Sequence, residues 1–202
     1  MRQFLFADQV RDVLRNGDQR AGYLESPITP AVLRLLGFPA GPLVMSPKIL
    51  LKIATGKDGD RAPLTEWQIC HLPEYLDDPV AIFDHDQHVA LVVLTGICDG
   101  LGNPVVCCVR PNVKDGIRVV NAITTAFGKS NATAWLAEQI QNEKLLYVGE
   151  KTNPRLPLPG HIYNEAGAHE SEGSARIILR PADLIKYRKD SSAALLGIDP
   201  IT

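Results

Sequence analysis

Positive charge is not in excess in this chain of 202 residues: 21 Lys and Arg stand against 23 Asp and Glu, a formal net charge of -2. That excludes the broad basic face of a strong duplex binder, although it leaves room for a small local basic site. Cysteine is sparse, with Cys70, Cys98, Cys107 and Cys108 alone. There is no CxxC pair and no His at ligand spacing to a Cys, so no zinc site is expected. Cys107 and Cys108 are adjacent and point to opposite faces of a strand, which makes them poor disulfide partners. Reduced, buried thiols in a cytoplasmic protein fit this usage. No apolar run approaches transmembrane length, and MRQFLFADQVRD turns polar too soon for a signal peptide. Metal motifs, phosphate loops, dinucleotide fingerprints and nucleophile elbows are also missing. No cofactor is expected.

What is present is an ordinary globular composition, 45% hydrophobic and 22% charged. The 15 Pro and 16 Gly cluster toward the ends, which fits a central domain with loop-rich flanks. The densest apolar stretch, Val80–Asn112, is cut once by DGLGNP and reads as two strands with a turn between them. Asp115-Gly116 marks a second hairpin, leading to a strand over Ile117–Thr125. Strands linked by such short turns form an antiparallel meander. LLYVG and Ala175–Leu179 are shorter candidates.

Helix signals precede and follow the meander. Gln3–Asn16 is amphipathic, with Phe6, Val10, Val13 and Leu14 on one side. Thr29-Pro30 and Ser46-Pro47 are cap-plus-proline starts. Thr65 and Gln68 form a capping box, and Pro73 breaks the helix they open. Ser130 or Asn131 caps a helix reaching about Glu143. A terminal helix is expected over Pro181–Lys189 after an aperiodic arm. The fold class expected is α+β, with N-terminal helices packed on a small, about four-stranded antiparallel sheet. The segments are a helical extension (1–42), the α+β domain (43–152) and a loop-rich arm (153–202).

The chemistry concentrates in Asn121–Ser130, NAITTAFGKS. Asn121, Thr124, Thr125, Lys129 and Ser130 offer an amide, hydroxyls, a cation and the N–H groups of a helix start, a set suited to an anion such as a phosphodiester. The plain alternative is that Thr is a good strand residue and Ser130 a cap. His71, at the helix break, has the intrinsic pKa of a general base near neutral pH, or is a satisfied structural histidine. His85 and His88 belong to a solvated turn, and His161 and His169 fall in the arm. Lys48 and Lys52, four residues apart on one helix face, are phosphate ligands or simply solvated.

The order of motifs VMSPKILLKI, LTEWQICHLPEYLDDPVAIFD, VALVVLTGICDGLGNPVVCCV, NAITTAFGKSN and WLAEQIQNEKLLYVGEK resembles the C-terminal domain of phage MuF-type proteins, over Leu43–Lys151. That domain is grouped with the phage barnase–EndoU–colicin–RelE-like nucleases. The resemblance implies helices on a four-stranded antiparallel sheet and metal-independent RNA cleavage by a toxin or effector, cytoplasmic or delivered into a host cell. It implies RNA as partner, together with a cognate inhibitor or a phage or mobile-element protein. Mapped on this chain, His71, Thr125 and Lys129 are the expected catalytic residues. Lys48, Asn121, Thr124 and Ser130 are the expected substrate contacts. Members tend to show I-x-S-x-YGK where this chain has Thr125 and Phe127. A catalytically inactive binding module of the same fold is the alternative. An ADP-ribosyltransferase-like effector is a third reading, for which no convincing Glu motif is present.

Overall fold

The computed structural model describes residues 5–17, 22–56, 61–85, 89–149 and 176–177. Its helices are α1 (Phe6–Asn16), α2 (Ala31–Leu35), α3 (Pro47–Thr55), α4 (Glu66–Cys70), α5 (Leu72–Asp77) and α6 (Ala132–Gln141). Its strands are β1 (Leu24–Ser26), β2 (Leu43–Met45), β3 (Ala81–Asp84), β4 (Leu91–Cys98), β5 (Pro104–Asp115), β6 (Arg118–Gly128), β7 (Leu145–Val148) and β8 (Arg176–Ile177). The α+β class holds. The sheet is larger than expected and mixed: eight strands in the order β1-β2-β6-β5-β4-β3-β7-β8, with β2 parallel to β6 and every other pair antiparallel. Strands of three residues carry no readable two-residue period, so β1 and β2 left no signal. The parallel pair joins Leu43–Met45 to Asn121–Ile123, a contact between distant parts of the chain.

Local signals account for most helix starts. Ser46 accepts a hydrogen bond from the Ile49 amide, with Pro47 in the first turn of α3. Thr65 and Gln68 close the capping box of α4 in both directions. Pro73 lies in the first turn of α5, so the expected broken helix is two short ones meeting at His71. Thr29 is not the cap expected of it. Its hydroxyl donates to the Gly41 carbonyl at 2.8 Å, and Pro30 holds the cap position of α2. Asn131 stands at the cap of α6 without a side-chain bond there. β5 runs on through Pro111, a residue that reads as a strand end. A register shift between Arg110 and Val113, with Asn112 at φ 56°, accommodates it.

The two faces of the sheet differ. Val105, Cys107 and Val109 of β5 and Leu91 and Val93 of β4 face a core shared with Phe6, Val10, Leu33, Leu50, Ile69 and Leu76 of α1 to α5. Strand alternation sends Leu94 and Val106 to the other side, under Ala132 and Leu136 of α6. α6 covers one end of that second face. Among the described residues, no helix is long and apolar enough to cross a membrane. The expected strand at Ala175–Leu179 is present as β8, beside β7. The rest of the arm, with His161, His169 and the Pro181–Lys189 helix, lies outside the described residues, as does His88.

One edge of the sheet is closed by a side chain. The Gln9 amide donates to the Glu25 carbonyl at 2.9 Å and accepts from the Glu25 amide at 3.1 Å. It imitates the next strand along β1, and Gln9 is itself buried. Gln9→Leu keeps the volume but strips two backbone groups of their partner. Urea unfolding of that variant is expected to show a loss of about 2 kcal/mol or more. An unchanged midpoint would show that water replaces the amide.

Candidate functional site

β2 pairs with β6 only as far as Ile123, after which the chain turns away into α3. The edge of β6 beyond that point is therefore flanked by a helix end and a loop. Lys52, Ile53 and Gly56 from α3 and its cap, with Arg61 and Ala62, line a small pocket against Thr125, Ala126 and Phe127. Gly56 is left-handed at φ 65°, and a side chain there would overlap the Arg61 carbonyl oxygen. Only glycine lets the loop return this closely. The Arg61 guanidinium then lies 3.7 Å from the centroid of the Phe127 ring. Cys108 pairs with Thr125 across β5 and β6. Burial pushes its thiol pKa up, with the Arg61 charge pulling the other way. A cation-lined pocket beside a hydroxyl, with a guanidinium on an aromatic face, is equipped to bind an oxyanion.

The residues singled out in the sequence fall in several settings. Thr125 lies in the pocket. Thr124 occupies a bulge of β6, and its hydroxyl donates to the Cys108 carbonyl at 3.2 Å. Asn121 is fully buried. Its Nδ2 donates to Thr29 Oγ1 at 2.6 Å and to the Pro39 carbonyl at 2.9 Å, tying the segment before β2 onto the sheet. Among the described residues, its Oδ1 has no hydrogen-bond partner. Lys129 holds its Nζ 5.9 Å from the Trp135 ring centroid, and Ser130 is exposed in the turn before α6.

His71 stands at the junction of α4 and α5. Its Nδ1 lies 2.7 Å from the Trp67 carbonyl oxygen, and its ring is 4.5 Å from that of Trp67. A carbonyl only accepts, so Nδ1 is the donor of this bond. Among the described residues, neither His71, Lys129 nor Lys48 lines the Thr125 pocket. Lys48 is exposed one turn earlier on α3, whereas Lys52 reaches the pocket. Arg61 is the residue that pattern reasoning missed. It sits in a loop without periodicity, and only the return of that loop to β6 gives it a place.

Two glycine-containing motifs have a shared structural cause. The Asp99 carboxylate accepts from the amides of Leu101 (2.9 Å) and Asn103 (2.8 Å) and from Asn103 Nδ2 (3.1 Å). This knits the DGLGN turn between β4 and β5. The carboxylate lies directly against Gly128, where an added Cβ would overlap it. The glycine of FGKS therefore serves the turn, and it sets where Phe127 and Lys129 stand.

No curated protein and no solved structure matches the chain. A sequence model described as "Phage MuF-C-terminal domain" matches residues 54–154, half of its length. The match takes in Arg61, Asp99, Thr125, Phe127 and Gly128, and it begins just after Lys52. This chain belongs to the phage MuF C-terminal domain family.

Proposed function

We propose that the chain is a ribonuclease that takes an RNA phosphodiester at the Thr125 edge of β6 and cleaves it by attack of the 2′-hydroxyl. The observation that carries this reading is the convergence of Lys52 and Arg61 on the pocket beside Thr125 and Phe127. The 2′-oxygen forms a bond to phosphorus, and the bond from phosphorus to the 5′-oxygen breaks. The products are a 2′,3′-cyclic phosphate and a 5′-hydroxyl. The phosphorane between them carries more negative charge than the ground state. Cations fixed at its oxygens favour it over the substrate.

Two protons must move, one off the 2′-hydroxyl and one onto the 5′-oxygen. Threonine and phenylalanine side chains have no group that titrates near neutral pH, and burial keeps the Cys108 thiol protonated. Among the described residues that line the pocket none is a carboxylate or a histidine, and both protons are assigned to solvent. The protein supplies position and charge.

A second reading rests on Phe127. The ring offers no hydroxyl and has Arg61 on one face, as a binding module that had given up cleavage would. Purified chain incubated with single-stranded RNA in the presence of EDTA separates the two. Fragments ending in a cyclic phosphate support the nuclease. RNA bound and left intact supports the binding module. RNA neither bound nor cut overturns both.

A further inference from the structure

The hairpin that joins β5 to β6 ends in a residue its turn does not need. Asp115 pairs with Arg118, which leaves Gly116 and Ile117 as a two-residue turn. Gly116 is left-handed at φ 61°, as the first central residue of such a turn must be. The second central position is ordinarily Asn, Asp or Ser, and turn chemistry gives no reason for a β-branched apolar side chain there. Ile117 is nevertheless fully exposed, at 104%. Arg118 braces the turn without it, donating to Asp115 and, at 2.9 Å, to Glu25. Lys114, beside the turn, is exposed and has no ion-pair partner among the described residues.

A cleft opens at the same end of the sheet. β1 ends at Ser26, which pairs with Leu43, and Leu43 pairs with Asn121, three residues after Arg118. From that end the chain passes through Ile28 into α2. Between α2 and α5 lies a cleft of about 320 Å³. Ile28, Pro30 and Pro73 give it apolar walls, and Ile28 is 65% exposed. Arg34 lines it from α2, and Glu74 and Asp77 line it from α5. Asp77 ties the two helices by accepting from the Ala31 amide at 2.7 Å. Neither Arg34 nor Glu74 has an ion-pair partner among the described residues, although both line one cleft.

We propose that this cleft receives Ile117 of a second copy of the chain, and that two copies exchange hairpin tips about a two-fold axis. None of these residues lines the Thr125 pocket, and the association does not depend on that site. Size fits. At about 30 Å³ for each water-sized group the cleft holds about ten, enough for the four carbons of an isoleucine side chain and the end of a flanking lysine. Charge fits as well. The tip carries both signs, in Lys114 and Asp115, and so does the cleft, in Glu74 and Arg34. Position fits a two-fold axis. Tip and cleft mouth stand at one end of the molecule, so a single rotation satisfies both contacts at once. Removing two exposed isoleucines from water drives the exchange.

Sedimentation velocity of the full chain, from about 1 µM to about 1 mM, is the test. The parent should pass from one copy to two and stop there. Ile117→Asp should raise the dissociation constant at least about tenfold and leave the urea midpoint in place, because a fully exposed turn residue makes no core contact. Lys114→Glu and Glu74→Lys should each weaken association. Both changes in one chain should restore it, since the pair re-forms with its signs exchanged. A parent that stays a single copy throughout would leave the cleft to a different occupant and overturn the exchange. A dimer unmoved by Ile117→Asp would do the same. Mass that climbs past two copies would mean head-to-tail contacts and overturn the two-fold arrangement. A double charge change without restoration would overturn the Lys114–Glu74 pairing.

Discussion

Alanine at both Lys52 and Arg61 is expected to lower the rate of RNA cleavage by about 10²–10³-fold, the usual cost of removing a fixed donor from the oxygens of a transition state. The loss should fall mainly on kcat, because the developing phosphorane is held more strongly than the substrate. Arg61 is exposed and Lys52 half-buried, so the urea midpoint should stay near that of the parent. That combination separates a lost site from a lost fold. A rate unchanged in the double variant would remove the pocket from the mechanism. Phe127→Tyr tests the same place from the opposite side. It adds a phenol to a ring already under the guanidinium, beside the Thr125 pocket. A rise in rate, with the urea midpoint held, is the expected result. No change would mean that a phenol at this place takes no part in the reaction.

The parts of this architecture that were legible in the sequence are those written locally. Ser46-Pro47, the Thr65–Gln68 box and the break at Pro73 each specify a backbone event within a few residues, and each occurs. The Asp115-Gly116 turn likewise joins β5 to β6. What was hidden is non-local. The three-residue strands β1 and β2 exist because β6 and each other offer ladders, and nothing in LES or LVM announces that. Pro111 has no N–H to give a ladder, yet the bulge around Asn112 lets β5 run on.

The site follows the same division. Thr125 stood out in the sequence, because a family pattern and the strand alternation both point to it, and it lines the small pocket. Asn121 shows why polarity alone misleads. Its amide looked like a group offered to a ligand, and the structure spends it on Thr29 and Pro39 inside the core. A polar residue on a strand is equally suited to a buried network and to a binding surface, and only the neighbours decide. Arg61 is the converse case: a loop cation with no pattern, brought to Phe127 by the fold around Gly56.

Gly128→Ala should be the most damaging single methyl that this hairpin could receive. The added Cβ would overlap the Asp99 carboxylate and come within 3.0 Å of the Asn103 Cβ. Asp99 is buried and cannot swing into solvent without abandoning the amides of Leu101 and Asn103. Either the strand moves away from the turn or the turn loses its central acceptor. Overpacking and broken buried hydrogen bonds together predict a loss of about 3 kcal/mol in urea unfolding. The cause can be isolated with a double-mutant cycle. Asp99→Ala is itself destabilising, since three donors lose their acceptor, but it removes the obstacle. Gly128→Ala in that background should cost under about 1 kcal/mol, so the two changes couple strongly. Equal costs in both backgrounds would mean that the Asn103 side chain, and not the Asp99 carboxylate, is the obstacle. Coupling of the expected size would mean that the glycine between Phe127 and Lys129 is a packing residue. The turn between β4 and β5 then fixes the stretch of β6 that carries Thr125 and Phe127.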